Sequence, residues 1–165
     1  MSANVWADLS HAAKDAAVRL SWRQWAGLGS PAVGGAGPRP SSIVDLEALI
    51  LVSLVFRDEE RRLGDMVAWW AEVGASLTSL QRMRAVAKRF PESMGQDGLR
   101  AFASMAAHHG DRRWLKVADA ALPEWVRDRK EPARPALLEP CALWARLRAG
   151  LGVGAKADAL AFLLG

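Results

Sequence analysis

Four basic side chains in one short segment, Arg82, Arg84, Lys88 and Arg89, are the residues whose type and spacing offer a recognisable chemistry. On a helix Arg82 and Arg89 share one side, and Arg84 and Lys88 flank it at an i, i+4 spacing. No carboxylate lies between Val73 and Pro91 to neutralise them. Cations so arranged can meet the phosphates of double-stranded DNA, an interaction that supplies affinity without sequence choice. The alternative is a solvated basic face on a bundle helix.

Other chemistries find less support. His11, His108 and His109 are the only histidines, and none sits in a nucleophile motif. Adjacent residues on a helix point about 100° apart, so His108 and His109 do not converge on one ion. They suit a helix C-terminus ahead of Gly110, where imidazoles meet the last carbonyls. Gly34-Gly35-Ala36-Gly37 lacks the Lys-Ser/Thr of a phosphate loop. Cys141, beside a proline at the head of an apolar segment, reads as a small buried hydrophobe. Asp58, Glu59 and Glu60 read as a helix start paired with Arg57, Arg61 and Arg62. The expectation is therefore no catalytic residue, no metal and no cofactor.

Eight tryptophans stand out in 165 residues. Trp6, Trp69 and Trp114 lie on apolar helical stripes and belong to the core. Trp22, Trp25 and Trp125 lie near helix ends or loops and are candidates for a contact surface, as are Leu160 and Phe162 in the apolar C-terminal helix.

These residues must be positioned by helices. Ala, Leu, Arg and Glu abound, tyrosine is absent and β-branched residues are sparse, a balance that favours helix over strand. The spacing predicts helices over Asn4–Leu28, from a Ser41 or Ser42 cap to Phe56, from the acidic knot at 58–60 to Gly74, from Ser76 or Thr78 to Phe90, over Gln96–His108, Asp111–Leu122, Cys141–Gly150 and Ala155–Leu164. The run Leu46–Phe56 is apolar on nearly every side and should be the buried central helix. The segment 30–40, rich in Gly and Pro, reads as a mobile loop. The expected organisation is a helical bundle over 1–122, a Pro-rich, charged connection over 123–140, and a C-terminal helical segment over 141–165. The fold class is all-α, a compact multi-helix bundle. Gly74, followed by Leu80 and Met83 as inward anchors, suggests a helix-turn-helix-like pair, although Trp70 stands where such motifs use a small residue.

The net charge of +4 permits a polyanionic partner without requiring one. A single cysteine fits a reducing compartment, Met1–Asp8 shows no signal-peptide pattern, and the longest apolar run is too short for a bilayer at ~20 residues. The expected location is cytoplasmic, with no membrane contact.

Three stretches, Asp45-Leu46-Glu47-Ala48-Leu49-Ile50-Leu51, Leu80-Gln81-Arg82-Met83 and the run from Arg146-Leu147-Arg148 through Leu164, resemble segments of a bacterial winged-helix, transcriptional-regulator-like family. The resemblance implies that residues 1–140 correspond to an N-terminal helical domain and that the last stretch corresponds to the first helix of a winged-helix module. It implies a chain that stops before any recognition helix or wing, and no family site residue carries over. The resulting expectation is a non-enzymatic, transcriptional-regulator-like protein with a DNA-facing basic helix. Its rivals are a protein-interaction or homo-oligomerisation module and a small-ligand pocket within the bundle.

Overall fold

The computed structural model describes residues 11–31, 40–126 and 133–164. Among them are seven α-helices and no strand, so the all-α bundle expected from composition is what forms. The helices are α1 (His11–Gly27), α2 (Leu46–Val55), α3 (Arg62–Val73), α4 (Leu80–Ala87), α5 (Glu92–His108), α6 (Leu143–Leu151) and α7 (Ala155–Leu164). Single 3-10 turns lie at Ala75–Leu77, Arg112–Trp114 and Pro140–Ala142. Trp6 and the first turns of the expected first helix, most of the Gly/Pro loop and the charged run 127–132 lie outside the described residues.

Helix α2 is central, contacting α1, α3, α4 and α5. Its Leu46, Leu49, Ile50 and Leu51 are all buried, as a helix apolar on every side demands. Asp45 caps it, accepting from the Ala48 N–H at 3.2 Å, where Ser41 or Ser42 was expected to do so. Ser41–Val44 are non-helical, and the Val44 N–H instead donates to the Cys141 carbonyl at 2.9 Å, tying the helix leader to the C-terminal part.

Indole rings fill the bundle interior. Trp25, Trp69 and Trp70 meet with centroids 5.8–6.3 Å apart in edge or tilted geometry, which the ring quadrupoles favour. The N–H of each of these three finds an acceptor: Ser53 Oγ for Trp25, the Ala133 carbonyl for Trp69 and Thr78 Oγ1 for Trp70. Gly74 follows from this packing, because a Cβ there would overlap the Trp70 indole. The glycine of the α3–α4 turn thus makes room for the large residue four positions before it. Helix α4 rests chiefly against α5 and α2.

Several boundaries differ from the sequence expectation. Helix α3 begins at Arg62, after the acidic knot, and α5 begins at Glu92 and not Gln96. Helix α4 ends at Ala87, so Lys88 and Arg89 lie in the turn after it and do not continue a helical face with Arg82 and Arg84. Helix α4 begins at Leu80 because Ser79 caps it, accepting from the Arg82 N–H at 3.2 Å, while Thr78 is buried under Trp70. No α-helix forms over 111–122. Gly110 turns the chain with φ +92°, Asp111 caps a single 3-10 turn, and the Asp119 N–H is captured by Ser104 Oγ at 2.8 Å. Ser104 there takes the Asp119 N–H, a backbone donor that a continued helix would need. Trp114, packed edge-on to Phe102 at 4.9 Å, anchors the segment. No described helix is long and apolar enough to cross a membrane.

Candidate functional site

The four basic residues of the α4 region separate into two groups. Arg84, Lys88 and Arg89 are exposed and have no carboxylate partner among the described residues. Arg82 is turned inward. Its Nη2 donates to Asp45 Oδ2 at 2.5 Å, its Nε lies 3.4 Å from Glu47 Oε2, and its guanidinium sits 4.3 Å from the Trp144 ring centroid. Burial works against its charge, but the Asp45 hydrogen bond and the fields of Asp45, Glu47 and Asp158 hold its pKa above the ordinary arginine value. The structure therefore removes Arg82 from the phosphate-facing set, because its charge is already answered by protein carboxylates.

Arg82 belongs to a polar junction that joins α2, α4, α6 and α7. At its centre the completely buried side chains of Glu47 and Arg148 form a two-pronged pair: Arg148 Nη1 donates to Glu47 Oε1 at 2.6 Å and Nη2 to Oε2 at 3.3 Å. Arg148 Nη1 also donates to the Leu77 carbonyl at 3.0 Å, and Nε to Asp158 Oδ1 at 3.1 Å. The Ser79 N–H donates to Glu47 at 2.7 Å, and the Trp144 indole N–H to Asp158 at 2.6 Å. Burial pushes the Glu47 carboxyl above the usual carboxylate range, while the Arg148 guanidinium pulls the other way. The junction is a local consequence of an acid placed in the first turn of an all-apolar helix, where it must be paired to be buried.

Sequence reading did not single out Glu47, Arg148, Trp144 or Asp158. One signal was present: Glu47 is the only charge between Leu46 and Phe56. Its partner stands 101 residues away, a distance over which spacing says nothing.

The aromatic candidates also divide. Trp25 is fully buried and bonded to Ser53, so it offers no contact surface. Trp22 and Trp125 are half-buried, each beside a guanidinium, Arg62 at 4.4 Å and Arg57 at 5.1 Å. Leu160 and Phe162 are exposed, Phe162 at 86%, together with Leu163 and Leu164. His108 and His109 are exposed at the end of α5, their rings edge to face at 5.3 Å. Cys141 is buried against Gly27, where a Cβ would come within 2.6 Å of its Sγ. Asp58, Glu59 and Glu60 pair with Arg57, Lys14 and Arg62 respectively. Among the described residues no group of three or more His, Cys, Asp or Glu is placed to hold a metal ion.

Beside the junction the leader of α2, Arg82 and the α6–α7 pair border an open cleft of about 830 Å³. Comparison with known proteins finds no matching family model, no matching curated protein and no matching solved structure.

Proposed function

We propose that this chain is a non-enzymatic, transcriptional-regulator-like helical module that meets DNA phosphates through Arg84, Lys88 and Arg89. The observation that carries this reading is the separation in the α4 region, where Arg84 lies on the helix and Lys88 and Arg89 in the turn that follows it. Arg82 is held by carboxylates, while its three neighbours face solvent with their charges unanswered among the described residues. Such a surface attracts the polyanion electrostatically and specifies no base sequence.

Fluorescence anisotropy with a random-sequence duplex, over a series of salt concentrations, tests it. The expected result is micromolar-range binding at low salt that weakens steeply as salt rises. The variant Arg84→Glu/Lys88→Glu/Arg89→Glu should lose that binding. In single neutral variants the slope of log affinity against log salt should fall by about 0.9 for each phosphate contact removed. Binding that survives the triple reversal would overturn the reading.

A second reading, a protein-interaction module, is favoured by the exposed Phe162, Leu163 and Leu164 of α7. A mass in solution that rises with concentration and falls back in Phe162→Ser would favour it over DNA contact.

A further inference from the structure

The cleft beside the junction takes no part in phosphate contact, and its lining has a chemistry of its own. Ile43, Leu143, Ala161, Phe162 and Leu164 form an apolar wall. A volume of about 830 Å³ matches small-molecule sites, which are largely apolar with a few placed polar groups.

The polar groups of the lining decide what sign of ligand fits. Asp158 is committed, since its Oδ1 accepts from both the Trp144 indole and Arg148. Arg82 is answered by Asp45 and Glu47. Arg146 is different. It is exposed at the cleft, and its one bond among the described residues is a 3.4 Å contact to the Leu138 carbonyl. A carbonyl does not neutralise a guanidinium, so Arg146 is the one cation of the lining without a carboxylate partner among the described residues. The charge of Asp158 nearby disfavours a dianion, and Arg146, the lining's unpaired arginine, disfavours a cation. Trp144 is not a free stacking platform, because Arg82 and Arg148 lie 4.3 and 4.9 Å from its ring centroid.

We propose that this cleft binds an amphiphilic monoanion, a carboxylate on an aliphatic or aromatic body, with the body against the α6–α7 wall and the carboxylate on Arg146. The proposal stands independently of DNA contact, since it uses none of Arg84, Lys88 and Arg89.

Calorimetric titration of the whole chain with decanoate, decyl alcohol and decyltrimethylammonium tests it. Decanoate should bind at a single site, the alcohol about tenfold or more weakly, and the cation not measurably. Arg146→Gln should lose about tenfold in decanoate affinity with an unchanged melting temperature, because Arg146 is exposed. Phe162→Ser, also at an exposed position, should weaken decanoate and decyl alcohol alike by shortening the wall. Equal affinity for decanoate and the alcohol, several equivalent sites, no binding of decanoate, or full binding by Arg146→Gln would each overturn the proposal.

Discussion

Arg148 reaches Glu47 across 101 residues of sequence, and both side chains are completely buried. The pair fastens α6 to the start of α2, and Asp158 extends it to α7. The same carboxylate of Glu47 accepts from the Ser79 N–H at the head of α4. One acidic side chain therefore coordinates the ends of three helices, and the C-terminal pair is held to the bundle by charge as well as by packing.

Removing Arg148 leaves Glu47 buried with only Arg82, 3.4 Å away, and the Ser79 N–H to answer it, and breaking a buried pair in this way costs up to about 3–5 kcal/mol. Arg148→Met should lose stability of that size in denaturant unfolding. The double replacement Glu47→Leu/Arg148→Leu should lose less than Arg148→Met alone, since no lone charge remains. A loss below about 1 kcal/mol for Arg148→Met would mean that water reaches Glu47 and that the junction contributes little.

Gly74 is required by its neighbour and not by a left-handed backbone, since its φ is −129°. Gly74→Ala drives a methyl group into Trp70, and overpacking of this type costs about 1–3 kcal/mol. Thermal unfolding should show the loss, and Gly74→Ala/Trp70→Phe should be less unstable than the sum of the two single variants. Additive effects would show that the two residues do not press on each other.

Asp111 gives a pH dependence whose sign is fixed. The Arg113 hydrogen bond, against the opposing effect of burial, holds its carboxyl below the ordinary aspartate value. A folded-state pKa lowered in this way contributes stability above about pH 4 that is lost as pH falls through the lowered value. Asp111→Asn should therefore destabilise the protein at about pH 6, and the difference from wild type should shrink at about pH 2.5. Denaturant unfolding at the two pH values checks this. A difference independent of pH would show that the loss does not come from the charge of the carboxylate.

Much of the helical order was legible because it is local. The apolar run of α2, the Gly–Pro punctuation and the C-terminal steps of α7 each predict an element from residues within a few turns of one another. Where prediction failed, the deciding partner was remote in sequence or was a competing side chain. The expected 111–122 helix yields to Ser104, which takes the Asp119 N–H from another helix, and the cap moves to Asp45 once Val44 is drawn to Cys141.

By itself the sequence determined the fold class and the central place of α2, because composition and period act over short range, whereas α4 stops at Ala87 and only two of the four basic residues lie on it. Only the tertiary structure decided that Arg82 turns inward while Arg84, Lys88 and Arg89 face solvent, and that Trp25 is core and not a contact surface. It alone created the Glu47–Arg148 junction and the cleft beside it. The physical reason is that burial and charge pairing are properties of which helices meet, and residues 101 positions apart carry no record of that meeting in their spacing.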